Sequence, residues 1–345
     1  MNRRRFLLAL LAGGPLAHPA AYGGPLAHPT EVAYPPVTPG VRLRFPRDHG
    51  AHPEYRTEWW YTTGWLERGA ERLGFQVTFF RTRTPWESKN PSQFAPRQVL
   101  LAHAAIADPR HGRLRHDERA ARDAFGLAGA ATRTTGAWID DWRFALERGK
   151  YRAKIAARDF TLDLALETPD APRLQGEEGF SRKGHRPEEA SYYYSRPQMA
   201  VSGTLDGDKV RGVAWLDHEW SSRYLAPEAA GWDWCGLNLD DGRALMAFRY
   251  RDRQGGVYYA PEGTAFTPLR IWRSPRTGVE YPVAMRVAAG GEQYDLTPLM
   301  DDQEFDARRS TGTIYWEGAV RALHAGSEVG RGYLELTGYW RPLEL

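Results

Sequence analysis

The sequence has almost no cysteine. Cys235 is alone among 345 residues, so no internal disulfide can form and no cysteine-based zinc spacing exists. Its reading is a small buried hydrophobe. Lysine is scarce as well: five of the 46 basic residues are Lys and the rest are Arg. Acids are interleaved with them, the net charge is only +3, and no basic block stands out after residue 5. Attraction to nucleic acid or to an anionic membrane needs clustered positive charge, so no nucleic-acid partner is expected. No apolar run is long enough to cross a bilayer as a helix, so no integral span is expected in the mature chain. The sequence also lacks G-x-S-x-G, G-x-x-x-x-G-K-[ST], G-x-G-x-x-G and H-E-x-x-H. The nucleophile elbow, the phosphate-cradling loop and the zinc-protease helix therefore drop out, and no cofactor or resident metal is expected. One metal arrangement stays open, from distant histidines such as His103 with His218. Both read first as ordinary hydrogen-bonded groups.

The abundant residues are aromatic and turn-forming. There are 13 Trp, 35 Gly and 24 Pro, which suits many short strands joined by tight turns. From residue 55 onward the hydrophobic period is close to 2. EWWYTTGWLE and RLGFQVTFFRTR form one pair of runs. ASYYYSRPQMAVSGTL leads through Asp206-Gly207-Asp208 into KVRGVAWLDHEW. WDWCGLNL precedes Asp240-Asp241-Gly242 and RALMAFRYR. Helix signals are weak everywhere. The expected class is all-β, as two closed or nearly closed antiparallel barrels, which leave few exposed edges. The break in alternation at residues 221–231 places the seam between an N-terminal domain, 41–225, and a C-terminal domain, 226–345. A barrel cavity lined by alternating apolar residues suits a hydrophobic small molecule.

The first 40 residues read differently. Arg3-Arg4-Arg5 precede a short apolar run that breaks at Gly13-Gly14-Pro15. This resembles an export signal of the twin-arginine kind, which implies a periplasmic or secreted protein. GGPLAHP then occurs twice, at 13–19 and 23–29, as a Pro/Gly-rich spacer. The folded part is expected to begin near Val41.

Three stretches hold candidate chemistry. In AWLDHEWSS, alternation puts Ala214, Leu216, His218 and Trp220 on one face and Trp215, Asp217 and Glu219 on the other. Asp217 and Glu219 are expected to do structural work, paired with arginines. In GWDWCGLNL, Asp233 shares a face with Cys235, Leu237 and Leu239, while Trp232 and Trp234 face away. A carboxyl on an apolar wall is kept protonated by desolvation and suits general-acid work; the competing reading is an Asp that caps the strand start in water or pairs with Arg. In TEWWYTTG, Glu58 and Trp60 share a face, and Glu58 is either a buried partner of an arginine or a pocket group. Tyr192 and Tyr194 of SYYYSRP share one side and Tyr193 takes the other.

TEWWYTTG, GFQVTFF, AHAAIAD, ASYYYSRPQM, AWLDHEWSS, GWDWCGLNLDDG and GRGYLELTGY occur in this order. Together they resemble the AttH / carotenoid 1,2-hydratase (CrtC-type) family, over about residues 41–345. The resemblance implies two lipocalin-like barrels with a ligand pocket near their junction. In the carotenoid branch it implies cofactor-free addition of water to an isoprenoid double bond. Asp233 would be the proton donor, His218 would orient water or the acid, and Trp220 would shield the cation. Glu58, Trp60, Tyr192, Tyr194, Trp232 and Trp234 would line the ligand. The carotenoid hydratases place a Tyr close to the acid, whereas Asp233 is bracketed by two tryptophans. The wording is closer to the AttH branch, whose members occur beside ABC-transporter components. That branch implies the alternative of a non-catalytic carrier of hydrophobic ligands.

Overall fold

The two longest aromatic runs form the start of the architecture. Thr57–Arg68 and Glu71–Arg83 pair antiparallel from Glu58↔Arg81 to Arg68↔Glu71, closed by a turn in which Gly69 takes a φ of 61°. Positive φ at that position is what Gly supplies at no steric cost. The computed structural model describes residues 32–85, 95, 97–168 and 171–344. The leader-like start and the GGPLAHP repeat lie outside the described residues.

Among the described residues, thirteen strands between Thr57 and Arg223 form one antiparallel sheet and nine between Ala229 and Leu336 form another. The one helical feature is a 3-10 turn, Arg47–His49. The all-β class read from the alternation is therefore what the chain forms. The first sheet is a nearly closed barrel, with its edge strands Arg115–Arg122 and Ala128–Ala130 coming close together; the second is a half-barrel. The sheet changes between Arg223 and Ala229.

Each sheet wraps its own core. Trp60, Phe79, Phe144 and Leu164 fill the first, and Leu237, Met285, Val320 and Leu334 the second. A third apolar cluster lies between the sheets, where Tyr61, Trp65 and Trp215 of the first meet Trp234, Phe248 and Tyr333 of the second.

Among the described residues, packing reaches back to Val32, within the stretch expected to be a spacer. Val32 and Val37 are buried. The Val32 N–H donates to the Pro85 carbonyl, and Ser222 Oγ donates to the Pro35 carbonyl. Residues 32–56 run as a strap across the end of the first barrel that carries Tyr192 and Trp220. An extended Pro-rich stretch has no period of its own, so its burial was not legible as a pattern.

Candidate functional site

Three strands carry most of the candidate residues: Thr57–Arg68, its distant neighbour Asp208–Arg223, and Ala190–Leu205. Their register places Tyr194, His218 and Trp60 in one cross-strand row, and Tyr192, Trp220, Glu58 and Arg81 in the next. The opposite face carries a row of Ser195, Asp217, Tyr61, Thr78, His103 and Glu118. A period of 2 thus sorts the chemistry into two layers.

The inner layer packs under the strap. Glu58 is fully buried. Its Oε1 accepts from His52 Nδ1 at 2.8 Å and His218 Nε2 at 2.9 Å, and its Oε2 accepts from Arg81 Nε at 2.9 Å. Burial alone would raise this carboxyl, but the two imidazoles hold it well below the ordinary carboxylate range. His52 stacks on Trp220 with centroids 3.8 Å apart, and His218 on Trp60 at 4.7 Å. Tyr194 Oη lies 3.2 Å from His218 Nδ1 and 3.0 Å from His49 Nδ1. Burial drives His49 down to about 4, with Arg196 adding to the effect, and it also lowers His218.

The outer layer faces the second sheet. Asp217 accepts from Tyr193 Oη at 2.6 Å and Trp215 Nε1 at 2.7 Å, as well as from Ser195, yet burial pushes it up to about 7. Glu219 pairs with buried Lys183 at 2.6 Å, and the Lys183 ammonium sits 4.3 Å from the Phe248 ring centre. From the second sheet, Glu317 is completely buried. Tyr61 Oη donates to its Oε1 at 2.6 Å, while its Oε2 has no hydrogen-bond partner among the described residues. Burial, reinforced by the facing Glu335, raises Glu317 well above the usual carboxyl range. Glu335 is partly buried, accepts from Trp232 Nε1 at 2.9 Å and is pushed up to about 7 by desolvation.

A cavity of about 760 Å³ opens beside this layer, between residues 111–118 and 158–159 of the first sheet and Arg276 and 306–309 of the second. From its wall a hydrogen-bonded chain runs inward. Glu118 accepts from Ser310 Oγ; Ser310 lies 2.8 Å from His103 Nε2, and His103 Nδ1 lies 2.8 Å from Tyr315 Oη. Tyr315 is two residues from Glu317 on the same strand, Thr313–His324.

Six sequence-derived candidates come together in the inner layer: Glu58, Trp60, Tyr192, Tyr194, His218 and Trp220. The expectation that His218 and Trp220 face the barrel junction is corrected. They point away from it, because the junction takes the Trp215/Asp217/Glu219 face. The partners of Asp217 and Glu219 are hydroxyls, an indole and a lysine rather than arginines. His103 and His218 lie on opposite faces and form no pair. Trp232 and Trp234 do reach the junction, where Trp234 Nε1 donates to Tyr193 Oη. Asp233 joins neither layer. It is fully buried in the second sheet against Arg249 at 2.7 Å, Arg251 at 3.1 Å and Tyr339 Oη at 2.9 Å. An acid held by two guanidiniums is an ion-pair centre and not the isolated acid expected for a proton donor; the arginines come from the neighbouring Ala244–Asp252 strand, which alternation within GWDWCGLNL cannot reveal.

Comparison with known proteins then places the molecule. A family model described as AttH-like matches residues 36–339. The chain belongs to the AttH-like family. An AttH candidate from Nitrosomonas europaea is 50% identical, with 88% of this chain and 99% of that one covered and a TM-score of 0.82. Kievitone hydratase from Nectria haematococca is 14% identical, with 90% and 98% covered and a TM-score of 0.60, which shows the shared fold. No curated protein matches the sequence. The AttH-like match agrees with the resemblance read from the seven motifs, and the two sheets are the paired lipocalin-like barrels it implied.

The residues that sequence reasoning missed are Glu317, His52 and Lys183. Glu317 sits in TIYWEGAV, within the strand Thr313–His324, where alternation alone gives an acid no special standing. His52 lies in the Pro-rich approach to the first strand.

Proposed function

We propose that this AttH-like protein binds an apolar, alkene-bearing small molecule at the junction of its two barrels and adds water to it. The observation that carries this reading is Glu317, a fully buried carboxyl with one oxygen unpartnered among the described residues and an environment that keeps it protonated. Alkene hydration needs such a proton. Transfer from the Glu317 carboxyl to one alkene carbon leaves a tertiary cation and a carboxylate. Water adds to the cation, and the proton it sheds returns to Glu317. Tyr61 Oη, already donating to Oε1, steadies the carboxylate between these steps. Rings of the inter-sheet cluster offer π-faces to the cation.

A second reading is a carrier. Six arginines rim the cavity, Arg113, Arg115, Arg158, Arg276, Arg308 and Arg309, and suit an amphiphile with an acidic head that needs no chemistry. An ABC-transporter partner belongs to that reading and rests on the family resemblance; export is common to both readings and rests on the leader-like start.

The test is capture followed by isotope exchange. The ligand is extracted from protein purified from its host, identified by mass spectrometry, and returned in D₂O to wild type and to Glu317→Gln. Deuterated, hydrated product from wild type, cut by about 100- to 10,000-fold in the variant with binding retained, is the expected result. Equal conversion by both removes Glu317 from the mechanism. No conversion by either leaves the carrier.

A further inference from the structure

The inner layer holds an arrangement that neither the hydration reading nor the family match uses. His52, Glu58 and His218 each offer one donor atom, and these atoms lie within 4.8 Å of one another. We propose that they bind a divalent first-row transition metal ion of the zinc class, through His52 Nδ1, Glu58 Oε1 and His218 Nε2.

Two imidazoles and one carboxylate oxygen are the donor types such ions prefer, and three protein ligands leave a fourth position for water. The outer contacts are the second argument. A metal-bound imidazole needs its far N–H fixed by an acceptor. His52 Nε2 lies 3.2 Å from Asp48 Oδ1, giving a carboxylate–histidine–metal line. His218 Nδ1 lies 3.2 Å from Tyr194 Oη, which can in turn donate to His49 Nδ1 at 3.0 Å. Arg81 holds Oε2 of Glu58, and Oε1, which also accepts the His52 backbone N–H at 3.1 Å, turns its remaining side to the ion. Trp220 and Trp60 fix the planes of the two rings. Zinc bonds of about 2.0–2.2 Å separate neighbouring donors by roughly 3.3 Å, so Oε1 and the two rings need to part by about half an ångström.

The protons balance. Without metal, both rings donate N–H to Oε1. On binding, His52 releases its Nδ1 proton to solvent and keeps Nε2–H on Asp48. His218 moves its proton from Nε2 to Nδ1, where it donates to Tyr194. A purely hydrogen-bonded core would show the same distances, so stoichiometry decides.

The experiment uses the full chain, stripped with EDTA and reconstituted with Zn(II) or Co(II). One ion per chain by elemental mass spectrometry, with visible d–d bands for Co(II), is expected. Asp48→Asn should weaken affinity about 10- to 100-fold. His218→Ala should lose the ion, while His111→Ala/His116→Ala at the exposed cavity keeps it. Absence of a stoichiometric ion in wild type overturns the proposal, as does full retention in His218→Ala. If His218→Ala fails to fold, the wild-type Co(II) spectrum and the Asp48→Asn affinity decide alone. This inference does not rest on the hydratase reading: Glu317→Gln keeps the ion whatever its turnover.

Discussion

At the scale of single residues, two buried acids separate structure from chemistry. Asp233 has two guanidiniums and a phenol. Asp233→Asn should therefore cost about 3–5 kcal/mol in denaturant unfolding, because two arginines lose their counter-charge. Turnover per folded molecule should hold. Glu317 has the opposite setting and should show the opposite phenotype. Its carboxyl is raised in the folded state, so between the unfolded value of about 4.3 and its folded value the native chain holds a proton that the unfolded chain has lost. That contribution is complete at low pH and falls away as pH rises. Glu317→Gln removes it, so from pH 5 to pH 8 wild type should lose stability relative to the variant, as read by paired thermal melts. A flat difference would mean that Glu317 titrates normally. The sequence displayed these acids equally well. What it withheld was the partner strand, and the partner strand decides whether a carboxyl has cations beside it or a second carboxyl.

At the scale of elements, alternation was a good guide. It placed Glu58 with Trp60, His218 with Trp220, and Tyr192 with Tyr194, and all six share one layer because Thr57–Arg68 pairs with Asp208–Arg223 in matching phase. It could not say which layer faces the other barrel, because both faces of this panel are buried and each reads as apolar with polar insertions. The strap was less legible still, having no period. Its weight is testable. Trp220 is buried against Val37 and stacked on His52, so Trp220→Ala should cost about 3–5 kcal/mol. A chain that starts at residue 41 forfeits about 1.5–3 kcal/mol for Val37 alone and should quench more readily with acrylamide at Trp220. An unchanged melting temperature in that truncation would make residues 32–40 a passive tail.

At the scale of the molecule, the break in alternation at 221–231 predicts two barrels, and each described sheet wraps its own core. The third cluster between them was not foretold, because it is made of faces that each barrel would otherwise turn to water. It buries Glu317, Asp217, Glu219 and Lys183 among aromatic rings. Such a layer binds the sheets through groups that lose their value once separated. Lys183→Met should therefore weaken the junction by leaving Glu219 uncompensated, at a cost of about 3–5 kcal/mol, with urea unfolding as the readout. The pairing of Thr57–Arg68 with Asp208–Arg223 carries a further consequence, one of timing. The first strand to leave the ribosome waits for a partner roughly 150 residues behind it, so His52 and Glu58 are made long before His218 exists to meet them. The inner layer is the last part of the first barrel to be completed. Nothing held by all three side chains can be captured until residue 218 has emerged, and whatever compartment the protein occupies when that sheet closes determines what it first holds.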